Sequence, residues 1–346
     1  MKEHTYLRWL SSQTESIYWH DSAVRSEQLE AFSNGAVGMT TNPFLVNSTL
    51  QNDTAFWQER LAEIPAGLTG DDKVHALMQC VTGYYADQVQ PIFSQGIPGK
   101  GYVCAQTNPN KTGDTEYMIR QAKILSSWAP NIVVKIPATQ AGIRAYEECV
   151  ALGMNVAATV SFTVPQVLAV GEAAQRGRER AIAAGITPGL TIAVLMVGRL
   201  DDYLRDVAQD SGAAVQESDI IQAGTACIKK AYKIFQERGY QTYLMPAGCR
   251  GGQQVVDLAG AKMIFSIAPK IAAMIDPNTP CVERIDVPVE EDVIERLMTM
   301  PEFRKAYLED GMTADQFITF GSSNRTTDQF INDGWNPLSA FRYEQN

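Results

Sequence analysis

"NIVVKIPATQAGIRAYEECVALGMNVAATVS", residues 131–161, decides the fold class. It reads as strand, helix, strand. Residues 131–138 are a short apolar run. In residues 139–153, Ile143, Tyr146, Cys149 and Val150 recur at helical spacing, and Gly153 closes the segment. Residues 154–161 are apolar again. Strands this apolar are the kind a parallel sheet buries on both faces. The first run has one anomaly, Lys135 in its middle.

The same alternation extends in both directions. Apolar runs stand at 16–22 (SIYWHDS), 35–42 (GAVGMTTN) and 101–108 (GYVCAQTN) before the quoted stretch. After it come 190–197 (LTIAVLMV), 240–248 (YQTYLMPAG) and 261–269 (AKMIFSIAP). With 131–138 and 154–161 this makes eight strand candidates separated by helical segments such as 218–239, which closes on Gly239. Eight strands alternating with helices predict an α/β fold, a (β/α)8 TIM barrel. The alternative is an open doubly wound sheet. It is disfavoured because no GxGxxG follows the first strand. The Gly/Pro stretch GIPGKG (96–101) lacks the P-loop spacing.

Two segments exceed a minimal barrel. Residues 43–100 read as an inserted helical excursion between strands two and three, with a helix pair at 54–64 and 72–89. Residues 283–346 read as a C-terminal helical extension with an aromatic tail. Neither has a low-complexity linker, so residues 1–346 are taken as one decorated domain.

Of the 346 residues, 45% are hydrophobic and 20% charged, as in ordinary globular proteins. The formal net charge of -10 argues against sequence-independent nucleic-acid binding. No signal peptide and no membrane span is expected. Six scattered cysteines without a CxxC pair, and only three histidines, give no zinc pattern and suggest a reducing, cytoplasmic setting.

In a barrel of this kind the chemistry sits at the C-terminal strand ends. In chain order those ends carry Asp21, then Thr41 and Asn42, then Gln106, Lys135, Thr159, Arg199, Arg250 and Ser266. Lys135 shares a strand face with Val133 and Pro137. A desolvated lysine loses its charge more readily. Moving its pKa from about 10.4 to about 7 takes roughly 4 to 5 kcal/mol. The neutral amine would then add to a carbonyl as a Schiff base. The competing explanation is a lysine whose stem is buried and whose head reaches water. Asp21 suits proton transfer, or caps the helix after strand one. Gln106 and Thr159 suit a water, or are satisfied core groups. Asn42 before Pro43 is a turn signal or a hydroxyl ligand. Arg199 and Arg250, the latter among glycines, suit a phosphate, or form surface ion pairs. His20 points to the opposite face and is read as packing.

Several of these stretches resemble a known family. GMTTNPFLV (38–46) is similar to the GxTTNPSLI signature of transaldolases, and VVKIPATQAGIRA (133–145) resembles the segment around their Schiff-base lysine. NVAATVSFTVPQ, VGRLDDY and YLMPAGCRGGQQVVDLAG continue the match in order, over roughly residues 16–275. The family fold is a (β/α)8 barrel. By position, the resemblance implies Lys135 as Schiff-base lysine and Asp21 as acid/base. It implies Asn42 and Thr159 as substrate and water contacts, and Arg199 and Arg250 as the phosphate site with Ser266 nearby. It implies phosphorylated sugars as partners and no cofactor, with a homo-oligomer left open. Three positions depart from it. Gln106 stands where transaldolases carry Glu and looks more like the fructose-6-phosphate aldolase branch. Ala157 replaces an Asn, and Val194-Leu195-Met196 replaces Ser-Pro-Phe. Transfer of a three-carbon unit, aldol cleavage without transfer, and non-catalytic sugar-phosphate binding are the three expectations.

Overall fold

The computed structural model describes residues 4–343. Seven strands form ladders: β1 (Ile17–His20), β2 (Val103–Gln106), β3 (Ile132–Pro137), β4 (Val156–Thr159), β5 (Thr191–Leu195), β6 (Tyr243–Pro246) and β7 (Ile264–Ile267). Every pairing is parallel, with β2 to β6 in chain order and β1 beside β7. All but one of their residues are buried, as the apolar composition demands.

The strand expected at 35–42 is reduced to isolated parallel bridges at Met39, one to His20 and one to Val103. Backbone bonds still seat it between β1 and β2. Val37 and Thr40 N–H donate to Tyr18 and His20, while Met39 N–H donates to Tyr102. Its shortness has local causes. A Cβ at Gly38 would lie 2.6 Å from the Trp19 ring. Asn42 then ends the segment by capping the next helix, accepting from Leu45 N–H at 3.0 Å. Parallel order therefore runs β7, β1, Met39, β2, β3, β4, β5, β6. Among the described residues no ladder joins β6 to β7, although the two lie side by side.

The quoted unit forms as expected, with a helix over Gln140–Ala151 and Gly153 at φ +78°. The helix expected over 218–239 is instead two, Glu217–Ile220 and Ala223–Glu237. The second begins where Gly224 packs on Val197. A Cβ there would lie 2.3 Å from the Val197 carbonyl oxygen. The excursion holds three helices rather than two: Pro43–Asn52, Thr54–Leu61 and Gly70–Phe93. The first is the one missed, although Asn42-Pro43 is an N-cap followed by a first-turn proline.

The extension after β7 is helical in short pieces. Gly321–Gln329 leads into a π-helical turn, Phe330–Trp335, and then Asn336–Ala340. The turn packs on the excursion. A Cβ at Gly334 would lie 2.8 Å from Phe44 N, Trp335 meets the His75 ring edge-on, and Lys73 Nζ donates to Ser339 O. All six cysteines are free. No helix among the described residues is long and apolar enough to cross a membrane.

Candidate active site

Lys135 is 8% exposed on β3. Its Nζ donates to the Thr41 carbonyl at 3.4 Å, with no carboxylate within ion-pair distance among the described residues. Register places it between Gln106 on β2 and Ala157 on β4. Two of the three departures from the transaldolase pattern thus flank the lysine directly. Gln106 is buried, and its Oε1 has no partner among the described residues. A buried acceptor left unpaired costs about 1–3 kcal/mol, so its position calls for a donor.

Asp21 follows β1, its N–H donating to Ile267 O. It does not cap the following helix, whose N-cap is Val24. Its Oδ1 instead accepts from the Thr40 hydroxyl at 2.8 Å, and Thr40 Oγ1 lies 2.7 Å from Ser266 Oγ on β7. Three chain segments thereby fix one carboxylate. Lys135 and Asp21 both act on the Cys104 thiol. Burial pushes it up to about 11, with Lys135 opposing and Asp21 adding. The two groups therefore both stand within electrostatic reach of one buried thiol.

Thr41 is fully buried, and its hydroxyl donates to Cys104 O at 2.6 Å. Its carbonyl, rather than its hydroxyl, meets the lysine. Asn42 Oδ1 is engaged as a helix cap, the local role that its sequence context also allows. Thr159 is buried at the end of β4, beside Pro137, and its carbonyl accepts from Ala138 N–H.

Arg199 and Arg250 are brought together by glycines. A Cβ at Gly198 would lie 2.5 Å from Gly248 O and 2.7 Å from Arg250 N. Only a glycine lets the first turn of helix Val197–Ser211 touch that loop. Arg199 is held below its ordinary value, first by burial and then by Arg250, with Asp21 and Asp202 opposing. Its Nη1 donates to Gln329 Oε1 at 2.7 Å, Phe330 faces the guanidinium at 5.7 Å, and its Nε is buried without a partner among the described residues. Arg250 Nε donates to Asp202 Oδ2 at 2.6 Å, and its Nη1 to Gly248 O at 3.0 Å.

Sequence reasoning missed five contributors. Thr40 was passed over for its neighbour Thr41. Asp201 and Asp202 follow Arg199 after Leu200, and the acidic pair was the available signal. Gln254 carried no signal. Gln329, in the extension, lies 130 residues from its partner and no pattern points to it.

A cavity of about 900 Å³ lies at the other end of the strands, lined by Tyr102, Leu190, Tyr243 and Lys262. Those residues lead into strands or begin them, whereas the groups described above stand where strands end. At that end the extension packs over the segments leaving Met39, β2 and β5, through Gly334 on Pro43, Phe330–Trp335 on Pro109–Lys111, and Gln329 on Arg199. The extension therefore covers part of the face at which the strands end.

The family profile of transaldolase/fructose-6-phosphate aldolase matches residues 18–319. The chain is 31% identical over 235 residues to transaldolase 1 of Streptomyces avermitilis, covering 65% of this chain and 62% of that one. It is 30% identical over 260 residues to a transaldolase of Mycolicibacterium paratuberculosis, covering 70% and 68%. Against a transaldolase of Acidothermus cellulolyticus it is 30% identical over 210 residues, covering 58% and 55%. The chain thus spans between about half and two thirds of the length of these curated relatives. With 302 of its residues inside the matched span of 18–319, the chain belongs to the transaldolase/fructose-6-phosphate aldolase family.

Proposed function

We propose that the protein transfers a three-carbon dihydroxyacetone unit from a ketose phosphate to an aldose phosphate through a Schiff base on Lys135. The strands are taken as a (β/α)8 barrel closed between β6 and β7, with the site at its C-terminal mouth. The observation that carries the reading is Lys135 itself. It is a buried amine that meets a carbonyl oxygen instead of a carboxylate, with Asp21 held nearby by Thr40 and Ser266.

The phosphate of the donor docks on Arg199 and Arg250. Arg199 Nε lacks an acceptor among the described residues, and an anion supplies one. Lys135, as the neutral amine, adds to the C2 carbonyl, and loss of water leaves an iminium ion. Asp21 accepts the C4 hydroxyl proton. The C3–C4 bonding pair flows into the iminium, an aldehyde departs, and a three-carbon enamine remains on Lys135. A water that donates to Gln106 Oε1 serves the hydration steps. An incoming aldehyde takes the enamine carbon and a proton from Asp21. Hydrolysis then returns the amine.

Gln106 supports a second reading, aldol cleavage without transfer. There the enamine is protonated at C3 and hydrolysed to dihydroxyacetone. A neutral amide and an alanine beside the lysine, rather than Glu and Asn, change what handles the proton on the water.

The test is incubation with fructose 6-phosphate, borohydride reduction, and mapping of the adduct by mass spectrometry. An adduct on Lys135 is expected. Binding of the sugar without any adduct there defeats both readings and leaves a non-catalytic sugar-phosphate binder. Rapid release of free dihydroxyacetone with no acceptor aldehyde present selects cleavage over transfer.

A further inference from the structure

Arg250 stands in a glycine-rich loop, a poor support for a side chain that must meet an anion at a set place. The loop is nevertheless tied down by a buried relay outside the reacting groups. Asp201 is 1% exposed in helix Val197–Ser211. Its Oδ1 accepts from Gly224 N–H at 2.8 Å, in the first turn of helix Ala223–Glu237. Its Oδ2 accepts from Gln254 Nε2 at 2.6 Å. Gln254 is fully buried, and its Oε1 accepts from the backbone N–H of Arg250 at 2.6 Å. The next residue, Asp202, takes the Arg250 guanidinium directly through Nε at 2.6 Å.

We infer that Asp201, acting through Gln254, and Asp202, acting directly, are positioning residues that set the backbone and the guanidinium of Arg250 for a phosphate group. The inference rests on the proposed site. It adds a device that the reaction itself does not require.

The relay has a direction, and the direction makes it testable. Both Asp201 oxygens receive donors, so the carboxylate is the form in use. Burial works against that form, pushing the carboxyl up to about 8 with the Gly224 N–H opposing the shift, so the variants are compared at pH 9, where the carboxylate prevails. Gln254 must therefore turn its NH2 toward Asp201 and its oxygen toward Arg250. In Asp201→Asn one oxygen still serves Gly224, but an NH2 now faces the Gln254 NH2. Flipping Gln254 relieves that clash and creates another at Arg250 N–H. The relay cannot be satisfied at both ends. Adding Gln254→Glu restores it. The Asn NH2 donates to one Glu oxygen, and the other accepts from Arg250. The buried charge has moved along the chain without changing in number. A role confined to stability has no reason to show this crossed pattern in substrate preference.

The experiment compares wild type, D201N, Q254E and the double variant on fructose 6-phosphate and on unphosphorylated fructose. The readout is the ratio of kcat/KM values for the two ketoses. Losing one buried hydrogen bond at the loop is expected to lower that ratio about tenfold in D201N, through KM for the phosphorylated ketose. The double variant is expected to recover most of the ratio. Equal losses on both ketoses, an unchanged ratio in D201N, or a well-folded double variant that fails to recover would overturn the inference. Thermal melts establish folding for each variant. Should wild type form no Lys135 adduct, the reaction proposed above fails separately. The relay is then judged by titration with inorganic phosphate. Weaker binding in D201N, regained in the double variant, upholds it, and identical binding in all four proteins, or none in wild type, rejects it.

Discussion

Gln106 and Lys135 are register partners on adjacent parallel strands, so the amide and the amine leave the sheet side by side. Gln106 is 2% exposed and its Oε1 is unpaired among the described residues. A carboxylate in its place would stand next to the lysine and favour the ammonium form. Gln106→Glu is therefore expected to move the pH dependence of borohydride trapping to higher pH. Trapping near neutral pH should slow by roughly tenfold for each unit of pKa rise. Unchanged trapping across pH 6 to 10 would show that residue 106 does not face the amine.

Thr40 holds Asp21 and Ser266 with one hydroxyl. Thr40→Val keeps the shape and removes both bonds. Asp21 then loses its fixed orientation, and kcat for C3–C4 cleavage is expected to fall about 10- to 100-fold with little change in KM. Steady-state rates on a ketose phosphate check this. A rise in KM alone would place Thr40 in binding instead.

Gln329 occupies Nη1 of Arg199 at 2.7 Å from across the extension. Gln329→Glu puts a carboxylate on that arginine and competes with the phosphate. KM for a phosphorylated ketose should rise at least about tenfold, in line with a charge-assisted bond gained by the competitor. Gln329→Ala should not raise it to that extent. Parallel KM measurements on the two variants separate charge from truncation.

His20 is 1% exposed, and neither ring nitrogen has a partner among the described residues. It lines a cavity of about 460 Å³ with Tyr18, Glu27, Glu30 and His4. Desolvation lowers its pKa to about 4 from an ordinary 6.5. The folded chain thus binds this proton less readily than the unfolded chain. Its contribution is fully present above about pH 6.5, is lost as pH falls toward 4, and amounts to about 3 kcal/mol over that window. His20→Phe is expected to flatten that part of the stability profile, which denaturant melts between pH 4 and 7 would report.

Much of the architecture was legible in the chain because buried parallel strands leave a simple trace. Apolar runs such as 131–138 and 190–197 gave ladders close to their expected limits, and Gly153 and Gly239 ended helices with positive φ. The run at 35–42 was harder. Its apolar pattern resembles the others, but the Trp19 ring over Gly38 and the cap at Asn42 leave it only bridges. Those are tertiary and end effects that periodicity does not encode.

The candidate site divides in the same way. Lys135, Asp21, Gln106 and the two arginines were identifiable because each is a polar residue at the end of an apolar strand or just beyond one. Such placement is costly without a use, and that cost is visible in one dimension. Their supports were not visible. Thr40, Asp201, Gln254 and Gln329 are ordinary polar residues whose roles arise only from who stands within 3 Å. Asp201 reaches Gln254 across 53 positions, and Arg199 reaches Gln329 across 130. Sequence by itself determined which groups are candidates for the chemistry, because burial leaves a local signature. Tertiary structure alone decided how those groups are aimed, because a hydrogen bond depends on distance and direction between atoms that the chain order does not relate.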